Sequence, residues 1–311
     1  MRFVTYISNE DAVVGLLTPD QKYVIDLRQA QIVKEDPNPV LHPLPNQLLQ
    51  CIQMGEAFVE ISREILQFVE AYRQNAGDVQ LSWLQPLESV QLLAPIPRPA
   101  KNIFCVGKNY AEHVEELGGR GDVPEHLVVF TKAPTAVSRP GGVVSCQSHV
   151  TQQMDYEGEL AVVIGKKARG ISEEEAMDVV FGYTIINDLT ARDLQSRHRQ
   201  WFLGKSLDGF CPMGPYLVTK DEVPFPERLN IVTRVNGEVR QSANTEQMIF
   251  TIPQIIATIS AGTTLEPGDI IATGTPAGVG HAKQPPAYLK PGDVVEVEVE
   301  GLGILKTFIG E

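Results

Sequence analysis

The chain has 311 residues, 43% hydrophobic and 21% charged, a globular composition with room for one large domain or two ordinary ones. Its formal charge of −13 argues against nucleic acid and anionic membrane surfaces as partners, because both repel it. The four cysteines, Cys51, Cys105, Cys146 and Cys211, are scattered with no CxxC pair, which fits reduced thiols rather than a disulfide framework.

In chain order, "MRFVTYISNEDAVVG" meets Glu10 and Asp11 before an apolar signal core can develop. No later stretch is long and apolar enough to span a bilayer, so the expected location is the cytoplasm. "RFVTYI", "AVVGLLT" and "KYVIDL" alternate with polar turns and predict a small antiparallel sheet. The proline-rich "DPNPVLHPLPNQ" reads as a loop. A helical run follows, broken near Gly55, with a stripe of Ile61, Ile65, Leu66, Val69 and Tyr72 and a stop at Gly77. "LLAPIPRPAKN" is extended and proline-punctuated, which predicts a boundary between a small α+β domain, 1–95, and a larger domain, 96–311.

The larger domain reads mostly as strand, so the expected class is α+β and β-rich. Asn236-Gly237 in "RVNGEVRQ" is a strong hairpin signal. Two Pro-Gly-Asp turns, at Pro267 and Pro291, each precede a β-branched run. Helices are expected over Glu173 to Val180, Thr190 to about Gln200, and Ile252 to Ala261.

Five stretches could carry chemistry. In "DYEGELAVVIGK", Asp155, Glu157 and Glu159 share one face of a strand that runs into an apolar segment. They are either a charged edge that resists aggregation or ligands of a hard divalent cation, since unpaired buried carboxylates are costly. In "GYTIINDLTARDLQ", Asp188 ends a strand and Thr190 is expected to cap the next helix, with Asp193 three residues on. Asp188, Arg192 and Gln195 lie at spacings of four and three, so they form either a surface ion pair or a third oxygen ligand with two cavity-facing neighbours. In "GKNYAEHVEELGG", His113 and Glu116 sit side by side on a helix, as an exposed pair or as a histidine base oriented by its carboxylate on a glycine-hinged lid.

"FLGKSLDG", with Lys205, and "IIATGTPAGVG", with Thr275, suit an anion but lack the P-loop and dinucleotide spacings, and each alone reads as an ordinary loop. Cys146 and His149 lack the partners of a zinc site, and "RHRQW" reads as a solvated helix face. No HExxH or GxSxG occurs.

Taken in this order, "GKNYxxH", "DYEGELAVVIG", "NDLTARDLQ", "GKSLD", "VNGExRQ" and "GDIIATGTPxGVG" resemble the fumarylacetoacetate hydrolase family across about residues 100 to 311. The resemblance implies a mixed β-sandwich roll, normally a homodimer, with Mg²⁺ or Mn²⁺ held by Glu157, Glu159 and Asp188. It implies catalytic roles for a lid dyad of His113 and Glu116 and for Lys205. It also implies substrate contacts from Arg192, Gln195, Thr275 and Lys132 of "VFTKAP". The family's name-giving hydrolase has a further acidic ligand before the histidine, and "IFCVGKN" has no acid there. The layout is most similar to oxaloacetate decarboxylase- and acylpyruvase-type members. The implied substrate is a small 2-oxo acid, often a dicarboxylate, cleaved at a C–C bond through a metal-stabilised enolate, with oxaloacetate decarboxylation first. Acylpyruvate-type hydrolysis and isomerisation share that enolate, and a binding protein that keeps the fold is the alternative of another class.

Overall fold

The computed structural model describes residues 1–35, 42–76, 81–118 and 123–311. The alternating N-terminal segments form β1 (Arg2–Ser8), β2 (Asp11–Leu17) and β3 (Tyr23–Asp26), followed by helices α1 (Leu27–Glu35), α2 (Leu48–Gln53) and α3 (Glu56–Ala76). Gly55 sits at φ +65° between α2 and α3, a conformation that breaks the helical run where the sequence predicts it. Of the predicted stripe, Ile65 and Val69 are fully buried, while Ile61, Leu66 and Tyr72 flank them partly buried. Gly77 and residues 36–41 of the proline-rich stretch lie outside the described residues.

The chain continues through β4 (Leu84–Pro86), β5 (Gln91–Leu93), β6 (Ile103–Gly107), α4 (Ala111–Glu116), β7 (Val128–Lys132), β8 (Val137–Ser138), β9 (Val143–Ser145), β10 (Met154–Asp155) and β11 (Gly158–Ile164). Then come α5 (Glu173–Ala176), β12 (Val180–Asn187), β13 (Thr190–Ala191), α6 (Arg192–Arg197), α7 (Phe202–Lys205) and β14 (Cys211–Thr219). The last elements are β15 (Asn230–Val235), β16 (Glu238–Asn244), α8 (Ile252–Ser260), β17 (Ile270–Ala272), β18 (Val294–Val299) and β19 (Gly303–Gly310).

The N-terminal meander is not a sheet by itself. Strand β1 pairs antiparallel with β14, so one sheet runs β4-β3-β2-β1-β14-β12-β11-β17-β6-β7, with β5 added on β1 and β8 on β14. An open edge of unpaired backbone groups needs a partner, and β14 supplies it. Phe3 of β1, Phe58 of α3 and Phe181 of β12 meet with ring centroids 4.7, 6.0 and 6.4 Å apart. The sequence break near residue 95 therefore lies within a core that both sides share.

A second sheet, β16-β15-β18-β19-β9, packs on the first. Leu160, Val162, Tyr183 and Ile185 meet Ile231, Val297 and Leu305 between the sheets. Asn236 and Gly237, at φ 53° and 81°, turn β15 into β16 as a two-residue hairpin. Gly268 and Gly292 take φ +91° and +95° in the two Pro-Gly-Asp turns. The result is the sheet-rich sandwich roll expected from the sequence.

Candidate active site

Antiparallel pairing of β11 with β12 sets Gly158 opposite Asn187, and the Asp188 N–H donates to the Glu157 carbonyl at 2.7 Å. That register brings the end of β12 beside the start of β11. Glu157, Glu159 and Asp188 are all buried, and one carboxylate oxygen from each lies within 4.8 Å of the others. Asp155 goes elsewhere. It accepts from Gly280 N at 2.8 Å, His281 N at 2.9 Å and Arg192 Nε at 2.9 Å, so it anchors the glycine-rich loop and the arginine.

Three cations fill the gaps between these acids. Lys205 Nζ bridges Glu157 at 2.7 Å and Asp188 at 2.8 Å. Lys132 Nζ donates to the other Asp188 oxygen at 2.6 Å and to the Leu189 carbonyl at 3.0 Å. Arg192 Nη1 reaches Glu157 at 2.8 Å and Gln195 Oε1 at 3.1 Å. Among the described residues, Glu159 has only the Gly274 N–H, at 2.8 Å.

The electrostatics follow this inventory. Burial pushes the Glu157 carboxyl up, but Lys205 and Arg192 outweigh it and hold the group down at about 2. Burial, then Asp188 and Glu157, drive Glu159 well above its ordinary value. Burial pulls Lys205 down, yet Asp188 and Glu157 keep its ammonium above the usual lysine range. Four buried carboxylates thus face three fixed cations, and the missing positive charge falls at Glu159. An all-carboxylate donor set short of positive charge fits a hard divalent cation such as Mg²⁺ or Mn²⁺. The Lys205 ammonium is held between Glu157 and Asp188.

His113 and Glu116 pair as their spacing predicts, with Nδ1 to Oε1 at 2.7 Å. The other Glu116 oxygen accepts from Gly278 N at 2.8 Å, which docks α4 on the glycine-rich loop. Asn109, just before α4, donates to the Thr273 and Phe250 carbonyls and accepts from Phe250 N. Gly118 follows α4 at φ +88°, while Gly119, the other expected hinge, lies outside the described residues.

A cavity of about 280 Å³ opens over this cluster, lined by His113, Glu157, Glu159, Arg192, Gln195 and Lys205, with Thr275 on its wall. Two sequence expectations change here, at Lys132 and Thr190. Lys132, expected as a substrate contact, is fully buried behind Asp188 and is not a lining residue, so its place is to hold the carboxylate. Thr275 keeps its place on the cavity wall, where its hydroxyl donates to the Gly158 carbonyl at 3.0 Å and accepts from Gln241 at 2.8 Å, tying the loop to the acid strand. Thr190 does not cap a helix: it lies in β13, its hydroxyl donates to the Asp188 carbonyl, and α6 starts at Arg192. Pairing of Met154 with Ala191 keeps the chain extended up to that point.

The sequence reading missed two groups on the cavity wall. Trp201, at the end of the basic run, stacks edge-on against Phe130 at 5.3 Å, and Lys205 Nζ lies 4.9 Å from the Phe130 centroid. The ring packs where any side chain at Gly107 would stand, a contact no local pattern announces. The other is His281, whose proximity to Arg192 depends on a loop nearly a hundred residues away.

Comparison with known proteins supports the same assignment. The family model for the fumarylacetoacetate (FAA) hydrolase C-terminal domain matches residues 102–309. The chain is 48% identical over 310 residues, covering 100% of both proteins, to oxaloacetate tautomerase YisK of Bacillus subtilis (strain 168). A fumarylacetoacetate hydrolase from psychrophilic Exiguobacterium antarcticum superposes with a TM-score of 0.79 at 40% identity, covering 100% of this chain and 99% of that one. The 2-hydroxyhepta-2,4-diene-1,7-dioate isomerase from Mycobacterium marinum superposes with a TM-score of 0.69 at 30% identity, covering 100% and 98%. These matches span the fold and the site together, and the chain belongs to the fumarylacetoacetate hydrolase family.

Proposed function

We propose that this cavity is the active site of a divalent-metal-dependent enzyme that moves a proton between the keto and enol forms of a small 2-oxo dicarboxylic acid, oxaloacetate first. The observation that carries the reading is the convergence of the acid triad and the His113–Glu116 pair on one cavity. The likeness to an oxaloacetate tautomerase puts proton transfer ahead of C–C cleavage.

Glu157, Glu159 and Asp188 would hold Mg²⁺ or Mn²⁺, which when bound supplies Lewis acidity toward the 2-oxo group. The chain's own residues do the rest. Glu116 fixes His113 through Nδ1, leaving Nε2 to take the proton from C3 and deliver it to the 2-oxygen, or to carry it the other way. Arg192 is buried, and its Nη2 has no hydrogen-bond partner among the described residues, so it offers an unused donor to a carboxylate. Lys205 and Arg192 together offset the repulsion of an anionic substrate by an acidic protein.

One observation favours decarboxylation as a second reading. The Phe130–Trp201 pair gives the cavity an aromatic wall, and a carboxylate pressed against it gains by leaving as neutral CO₂. Both readings are tested by adding enolic oxaloacetate with Mn²⁺ while following loss of the enol band and formation of pyruvate. The expected result is enol decay far above the spontaneous rate, with slower pyruvate release. Unchanged turnover after chelation and in Glu157→Ala would sink both readings.

A further inference from the structure

His281 lines the cavity, yet the chemistry above makes no use of it. Its surroundings are built. The main-chain N–H donates to Asp155 Oδ2 at 2.9 Å, and the same oxygen accepts Arg192 Nε at 2.9 Å. The imidazole and the guanidinium are therefore carried on one buried carboxylate. The ring is fixed through Nδ1, 2.8 Å from the Tyr288 hydroxyl, with the two rings stacked at 6.0 Å.

This pairing selects a tautomer. Burial, then Arg192, pushes the imidazole below its ordinary value, so the ring is neutral at physiological pH. Burial, then Asp155, raises the Tyr288 phenol, so it keeps its proton. A phenol is a better donor than acceptor, and the imidazole sp² nitrogen is the stronger acceptor of the two. Tyr288 therefore donates to Nδ1, and the ring proton sits on Nε2. Among the described residues no protein group accepts from Nε2.

We propose that His281, locked by Tyr288, is a specificity-determining residue that donates from Nε2 to the distal carboxylate of the substrate, next to Arg192. This rests on reading the cavity as a 2-oxo dicarboxylate site and names which group recognises the second carboxylate. Arg192 supplies charge, and His281 supplies a neutral donor in a fixed position. A neutral donor suits the place, because Arg192 and Lys205 already supply positive charge to the cavity.

Calorimetric titration of the Mn²⁺-loaded protein with malate and with lactate tests it. The two acids share a 2-hydroxy acid head and differ by the distal carboxylate. The wild type is expected to prefer malate. His281→Phe keeps a ring and loses the donor, so the preference should fall about tenfold or more while lactate binding stays level. His281→Gln keeps an N–H near the Nε2 position and should retain the preference within about threefold. Tyr288→Phe frees the tautomer and should fall between the two. If His281→Phe leaves the malate-to-lactate ratio unchanged, or weakens both acids equally, the proposal is overturned while the site reading stands. If the wild type binds neither acid, the site reading fails and the proposal with it.

Discussion

Strand β11 begins in charge and ends in hydrocarbon, on a single face. Glu159, Ala161 and Val163 alternate along that face: Glu159 joins the acid cluster, while Ala161 and Val163 enter the core beneath α3 with Phe3, Phe58 and Phe181. The two ends obey opposite rules. The apolar end gains stability from each buried group. The charged end is a liability that the fold tolerates because Lys132, Lys205 and Arg192 are interleaved with the acids. The contrast teaches that the aromatic layer carries rigidity, which the charged end uses to keep carboxylates converging that would otherwise separate.

If that division is right, mutations at the two ends should separate activity from stability. The largest effect is expected from Asp188→Ala, which leaves the Lys132 and Lys205 ammonium groups without a shared carboxylate. Turnover should fall by about a thousandfold or more, and stability by about 3–5 kcal/mol in denaturant unfolding. A variant as stable as wild type would break the comparison. Phe58→Ala should lose about 3–5 kcal/mol in the same unfolding measurement while kcat and KM hold in the folded fraction. A large drop in kcat would mean that the aromatic layer reaches into the chemistry.

Glu116→Gln should lower kcat by about a hundredfold with little change in melting temperature, since the amide oxygen can still accept from Gly278. Glu159→Gln sharpens the contrast through pH. The folded-state carboxyl is raised above its ordinary 4.5, so its contribution is present below that pH and lost as pH rises toward the folded value. In chelator-treated protein the variant should therefore be more stable than wild type at neutral pH, and its metal response should vanish. A less stable variant would show that the carboxylate is better paired than the geometry gives. The smallest effect is expected at Asn236→Ala, where φ is 53°: about 1–2 kcal/mol of stability and no change in turnover.

Much of the site was legible because its signals are local. Period two along the extended chain entering β11 puts Glu157 and Glu159 on one face, spacing three puts His113 beside Glu116, and Asn-Gly forces a tight hairpin. Asp188 was readable as a strand end, although its meeting with the two glutamates depends on the β11–β12 register. The acid strand by itself left a charged edge and a cation site equally open, and the order of motifs brought the family into view.

What lay beyond the sequence comes from contacts far apart in the chain. Spacing could not say that Asp155 turns away to hold Arg192 and the loop at Gly280, or that Lys132 ends up behind Asp188. Nor could it say that the N-terminal meander closes on β14, or that His281 and Trp201 share a cavity with His113. The sequence by itself determined which residues are neighbours within one strand, turn or helix, because backbone periodicity sets those distances. Only the tertiary structure decided which carboxylate meets which cation, since those pairs depend on strand register and on the requirement that each buried charge find a partner.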